Sequence, residues 1–249
     1  MEIQLIRNAT MKLTYLGLTM LTDPMFSPKD AFDPFAGVAR NPTVELPFDI
    51  EKIVDGVDGV VVSHDHPDHF DSAASDALAK VIPVFCQPGD DLRMTREGFR
   101  TVIPIETATI WHVITLTRTD GRHGSGKIRS LMGNVWGVVL QADGEPTVYW
   151  VGDSIWCEPV ESVLKMFDPD ILITHSGGAT IPGFEPIIMD IDQTLATAKA
   201  SSSAIVVAIH MEALDHCSAS REQLRQRADK QTIPPSRMMI PSDGETIAF

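Results

Sequence analysis

Three of the chain's eight histidines fall within six residues, in the run His64-Asp65-His66-Pro67-Asp68-His69. Imidazole and carboxylate groups suit Zn, Mn or Fe better than Ca or Mg. If the turn that leaves the preceding strand is extended, His64 and His66 point the same way, as alternate residues do, and can grip one metal ion. Pro67 then forces a bend, after which Asp68 and His69 can face a second ion. One cluster cannot complete two metal shells, so further ligands are expected at the ends of other strands. His123 in the turn Arg122-His123-Gly124, Asp153 after a strand at 147–151, and His210 after a strand at 204–209 have the right chemistry and placement. Alone, each reads more simply: a lone His is most often a surface or satisfied core residue, and Gly-Asp after a strand is most often a turn. Their company with the first cluster makes them ligand candidates.

The elements that must hold these residues can be read from periodicity and turn chemistry. Short strands are expected at 2–6, 11–15 and 18–21, followed by a long irregular loop at 23–48. That loop is rich in Pro, Phe and Asp, and its aromatic content points to an ordered pocket wall. A buried strand at 58–63 runs straight into the histidine cluster. Helices are expected at 72–80, 90–97, 159–167, 192–200 and 219–230, the third with Pro159 at its start, where a missing N–H costs little. Strands are expected at 81–85, 109–119, 135–142, 147–151, 171–174 and 204–209, with short strands closing the chain. The order is strand-rich, then helix and strand, and it occurs twice. Two such halves can stack their sheets and place helices outside, and no linker divides them, so residues 1–249 read as a single α/β (α+β) domain.

Composition narrows the function classes. Hydrophobic residues make up 43% of 249, enough for a well-buried core. Cys86, Cys157 and Cys217 are odd in number and widely spaced, which argues against a disulfide framework or a thiolate zinc knuckle. The formal net charge of −14 opposes a polyanion, and the densest basic segment, 221–230, also holds Glu222 and Asp229. No apolar run approaches the ~20 residues needed to span a bilayer, and the first residues lack a signal-peptide pattern. The expectation is a cytoplasmic protein acting on a small molecule, with neither nucleic acid nor membrane as partner and assembly into a homo-oligomer left open.

In their order the motifs Leu21-Thr-Asp-Pro24, the run from Ser63 to Asp71, the His123 turn, the run Gly133 to Leu140, Val148 to Ser154, and Val206 to Cys217 resemble the metallo-β-lactamase superfamily, whose signature is HxHxDH. Within it the chain most resembles the branch of the ascorbate-6-phosphate lactonase and the N-acylphosphatidylethanolamine phospholipase D. The resemblance covers nearly the whole chain and implies a four-layer αββα sandwich with metals at the sheet edges. It implies two divalent transition-metal ions, with Zn expected and Mn or Fe as alternatives. His64, His66 and His123 would hold the first, Asp68, His69 and His210 the second, and Asp153 would bridge both. A hydroxide between the ions would attack a small ester, lactone or phosphodiester, with Asp68 and Asp153 as the catalytic carboxylates. His175, Glu212 and His216 are candidates for touching substrate, and Asp23 for orienting a ligand histidine from behind. The branch often carries a His near the position of Asn8, so no role passes to Asn8. His112 reads as structural, inside a strand. Two rivals stand beside the hydrolase: a non-catalytic metal-binding or sensing protein of the same fold, and a di-iron oxygen-chemistry protein. Relatives of the second kind replace the second His of the motif with Glu, and His66 argues against it.

Overall fold

The computed structural model describes residues 1–249. In chain order the elements are β1 (Glu2–Arg7), β2 (Thr10–Tyr15), β3 (Leu18–Thr22), α1 (Ile50–Val54), β4 (Gly59–Val61), α2 (Ser72–Ala77), β5 (Pro83–Cys86), α3 (Asp91–Arg96), β6 (Thr101–Pro104), β7 (Ala108–Trp111), β8 (Ile114–Asp120), α4 (Gly126–Met132), β9 (Trp136–Gln141), β10 (Val148–Trp150), α5 (Glu158–Phe167), β11 (Ile171–His175), α6 (Ile191–Ala200), β12 (Ile205–Ile209), α7 (Arg221–Lys230), β13 (Met238–Met239) and β14 (Thr246–Ala248). They form two seven-stranded sheets, ordered β14-β1-β2-β3-β4-β5-β6 and β13-β12-β11-β10-β9-β8-β7. Each sheet is antiparallel at one end and parallel at the other: β3 to β6 run parallel in the first, β10 to β13 in the second. Central parallel strands are covered on both faces, which is why β11 and β12 are nearly continuous apolar runs instead of alternating ones.

Three apolar clusters define the layers. Leu5, Leu13, Met20 and Val61 of one sheet pack against Trp136, Val138, Trp150, Ile173 and Val207 of the other. On the outer face of the first sheet, Val60, Val62 and Val84 pack against Ile53 of α1, Ala74 of α2 and Met94 of α3. On the outer face of the second, Tyr149, Leu172 and Val206 pack against Val160 and Leu164 of α5, Leu195 of α6 and Leu224 of α7. The result is the αββα sandwich expected from the order of elements.

Some boundaries differ from expectation. The strand expected at 109–119 is the hairpin β7–β8, because the chain turns at His112, whose φ is 54°. His112 is therefore an exposed turn residue and not part of a strand. The helix expected at 72–80 stops at Ala77, where Leu78 turns extended and Lys80 folds back to donate to the carbonyl and hydroxyl of Ser75. The elements α1, α4 and β6 lie in stretches with no strong periodicity. No helix is long and apolar enough to cross a membrane.

Candidate metal centre

Each candidate ligand follows the end of a strand. Asp23 comes after β3, the segment Ser63 to His69 after β4, His123 after β8, Asp153 after β10 and His210 after β12, while His175 closes β11. Left-handed backbone concentrates here, with φ of 59° at Asn8, 38° at Asp23, 70° at Gly152 and 57° at His210. Non-glycine residues hold that conformation only where their surroundings over-determine it. Asn8 shows how: its carbonyl accepts from His210 N–H, and its side-chain amide donates to the carbonyl of Asp68. At Gly152 a Cβ would stand 2.5 Å from the carbonyl oxygen of Trp136, so glycine alone lets the chain turn there and aim Asp153 inward.

Two donor triads converge. His69 Nε2 lies 3.4 Å from Asp68 Oδ2 and 3.4 Å from His210 Nε2, and His210 Nε2 lies 3.5 Å from Asp68 Oδ2. Ligand atoms bound tetrahedrally at Zn–N distances of ~2.0–2.1 Å stand ~3.4 Å apart, so this triangle has the edge length of a tetrahedral face. In the second triad, His64 Nε2 and His66 Nδ1 are 2.8 Å apart, and His123 lies within reach of both. Asp153 stands between the triads. Its Oδ2 is 3.1 Å from His69 Nε2, 3.5 Å from His123 Nε2 and 3.8 Å from His64 Nε2, and its Oδ1 is 3.7 Å from His210 Nε2.

The hydrogen bonds behind the imidazoles decide what faces the centre. Asp23 Oδ2 accepts from His69 Nδ1 at 2.7 Å and from the hydroxyl of Ser63 at 2.7 Å. With its proton given to Asp23, the Ser63 oxygen can only accept from His64 Nδ1, 3.0 Å away. His123 Nδ1 donates to the carbonyl of Ile187 at 2.9 Å. In all three rings the Nδ1 carries a proton, so Nε2 is the nitrogen turned to the centre and is the one a metal would take. The Nε2 atoms of His64, His69, His123 and His210 face one another and the carboxylates of Asp68 and Asp153 across the centre. The donor set, five imidazoles and two carboxylates, is of the type divalent transition metals take.

The profile of the Beta-lactamase superfamily domain matches residues 19–211. The chain belongs to the beta-lactamase superfamily. Among the family's proteins, it is 34% identical to the UPF0173 protein YddR of Bacillus subtilis, over the full length of both chains. A solved isothiocyanate hydrolase from Delia radicum gut bacteria is 35% identical, with a TM-score of 0.94 over 100% of this chain and 99% of that one. A "possible metal-dependent hydrolase" from Veillonella parvula is 36% identical, with a TM-score of 0.96 over the same shares. The chain is thus a metal-dependent hydrolase of the metallo-β-lactamase fold.

The electrostatics follow from crowding charge in the sandwich edge. Burial opposes charge on His64 and His123 and wins: His64 is held well below its ordinary value and His123 is pushed down to about 4. At His69 burial is outweighed by Asp153, Asp68 and Asp23, which hold the ring well above its ordinary value. At His210 burial is outweighed by Asp153, Cys217 and Asp68, which push it up to about 10. Asp68 and Asp153 stay well below the usual carboxylate range: burial opposes this, but His69 and His210, joined at Asp153 by His175, together outweigh it. This centre thus favours positive charge beside Asp68 and Asp153.

The structure brings His64, His66, Asp68, His69, His123, Asp153 and His210 together, with Asp23 behind His69. The three residues expected near substrate separate. His216 lines a cavity of about 400 Å³ over the centre, with Pro34, Phe35, Met132, Ile181 and Ile187. His175 does not reach it. It is fully buried beneath Asp153, donating from Nδ1 to Asp153 Oδ1 at 2.5 Å and accepting from Trp150 Nε1 at 2.9 Å. Glu212 points elsewhere too, pairing with Arg221 at 2.5 Å. Sequence reading missed Ser63, Trp150 and the Ile187 carbonyl. Ser63 could have been suspected from its place beside the cluster, whereas a backbone carbonyl has no sequence signature.

Proposed function

We propose that the chain holds two divalent transition-metal ions, Zn expected and Mn or Fe as alternatives, and hydrolyses a small neutral molecule at an electrophilic carbon, such as an ester, a lactone or an isothiocyanate. The observation that carries this reading is the convergence of two donor triads on Asp153 at the floor of an apolar-walled cavity. His64, His66 and His123 would hold one ion, Asp68, His69 and His210 the other, and Asp153 would serve both. Bound ions supply Lewis acidity and a water whose pKa falls toward 7. Asp68 lines the cavity, and its Oδ2 is the oxygen turned to His69 and His210, which leaves Oδ1 to take a proton from an attacking water and return it to the alkoxide expelled from an ester or lactone, or to the nitrogen of an isothiocyanate whose C=N π bond the addition breaks. Phe35, Met132, Ile181 and Ile187 would seat an apolar substituent by excluding water from it.

The sequence resemblance also admits phosphodiesters. The cavity lining contains no Lys or Arg, which favours a neutral substrate over a phosphorylated one. The 35% identical isothiocyanate hydrolase supports the same choice. The test is elemental analysis together with turnover of p-nitrophenyl acetate, γ-butyrolactone, benzyl isothiocyanate and bis-p-nitrophenyl phosphate. About two equivalents of metal with turnover of a neutral compound is the expected result. Metal bound without turnover of any of the four would favour the non-catalytic metal-binding reading. Turnover of the phosphodiester alone would overturn the substrate class.

A further inference from the structure

The cavity's outer wall is a segment with little structure of its own. Residues 33–41 contain no helix or strand beyond one bridge, Phe32 to Asn41, and the backbone turns at Gly37 with φ of 77°. Exposed backbone without a ladder needs other partners. Here they converge on one side chain from a distant part of the chain. Asp215 Oδ1 accepts from Phe35 N–H at 2.9 Å and from the Asn41 amide at 2.9 Å, while Oδ2 accepts from the N–H groups of Ala36, Val38 and Ala39 at 3.1, 3.0 and 3.3 Å. Asn41, fully buried, returns the bond: its Oδ1 accepts from Asp215 N–H at 2.7 Å. Burial opposes the carboxylate charge, but the Asn41 amide and these N–H groups together outweigh it and hold the group down at about 2.

Asp215 also sits at the join of two cavity walls. The next residue, His216, lines the cavity and meets the Phe35 ring edge-on, with centroids 5.2 Å apart. The carbonyl of His216 accepts from Thr180 N–H at 2.9 Å, which ties the same segment to the wall that carries Ile181.

We infer that Asp215 is a positioning residue that latches residues 35–39 into place, so that Phe35 stands against His216 as a fixed wall selecting substrates with an apolar substituent. Asp215 touches neither the centre nor the cavity, and acts through Phe35. The selectivity part of this inference rests on the reading of the cavity as a substrate site.

The test uses the metal-loaded protein and the variants Asp215→Ala, Asp215→Asn and Phe35→Ala. Asn keeps the length of Asp but turns one acceptor into a donor that faces N–H groups, so it should behave much like Ala. The first readout is hydrogen exchange of peptides covering 33–41. Both Asp215 variants should exchange at least tenfold faster there while β11 and β12 stay protected, and metal content should remain that of the wild type. The second readout is the kinetics on benzyl and methyl isothiocyanate. Loss of half the contact with a benzyl group corresponds to about a tenfold loss in kcat/KM, carried by KM, with the methyl compound little changed. Phe35→Ala should match that selectivity loss. Unchanged exchange at 33–41 overturns the latch, and faster exchange with unchanged selectivity overturns the role of the wall. If the wild type turns over neither compound, the isothiocyanate choice of substrate is at fault and not the latch. The affinity for benzyl alcohol, read by NMR titration, then replaces KM, and equal affinities in wild type and Asp215→Ala overturn the inference.

Discussion

Replacing Asp23 by Asn tests how the centre is held, because the change is isosteric and Asn tolerates the left-handed backbone, φ 38°, that Asp23 adopts. Asp23 Oδ1 accepts from Ser63 N–H at 2.6 Å and Oδ2 from the Ser63 hydroxyl and His69 Nδ1 at 2.7 Å each. If the Asn oxygen keeps the bond to Ser63 N–H, its NH2 faces His69 Nδ1. The ring must then accept there, its proton moves to Nε2, and the lone pair aimed at Asp68 and His210 is lost. If the amide flips, Ser63 N–H meets a donor instead. Either way a ligand or a buried donor is left wrong. Outer hydrogen-bond partners of a metal-bound His are worth about 10–100-fold in metal affinity, about 1.4–2.7 kcal/mol. Losing a charge-assisted bond should also lower folding stability by about 1.5–3 kcal/mol. The assay is competition with a chromophoric chelator for each of two binding steps, alongside urea unfolding of the metal-free protein. One step should weaken by at least tenfold and the other less, since Asp23 contacts His69 directly and His64 only through Ser63. Two steps of wild-type affinity in Asp23→Asn would refute the tautomer argument.

Further outcomes follow from the same geometry. Asp153→Ala should lose metal and activity together, because its Oδ2 faces both triads, and a variant with wild-type turnover and stoichiometry would show the bridge to be misassigned. Since the carboxylates hold His69 well above 6.5 and His210 at about 10, both rings carry protons near neutrality, and an entering cation must displace them. Metal affinity should therefore climb with pH up to about 10, while the metal-free protein loses stability as pH rises from about 6.5 through the same range; a pH-independent affinity between 6 and 9 would contradict this. Gly177→Ala would drive a Cβ into the carbonyl oxygen of His210 and to 2.9 Å from Cys217 Sγ, so melting temperature and metal content should both drop, with about 1–3 kcal/mol of stability lost. The exposed turn residue His112, replaced by Asn, should retain metal content and stability to within about 0.5 kcal/mol.

What the chain reveals without its fold is what local chemistry and periodicity encode. The cluster at His64 to His69 identifies itself, because metal ligands packed into one turn are rare by accident. His123, Asp153 and His210 could be named because ligand-type side chains recur where apolar runs end, and that position is local information too. The alternation of strands and helices allowed two stacked halves with helices outside, and the family resemblance carried by the order of motifs implied the sandwich. Tertiary structure alone decided the rest. His175 looked like a pocket residue, but β11 runs parallel between β10 and β12, and this places the ring beneath Asp153 with Trp150 on its other nitrogen. Glu212 is four residues from His216, yet the chain turns at Glu212 with φ of 65° and gives its carboxylate to Arg221. Asp215 is 180 residues from the Phe35 amide it holds. No pattern of types or spacing announces such a bond, because the donor is a backbone N–H that every residue but proline carries, and only the folded chain chooses which one the carboxylate meets.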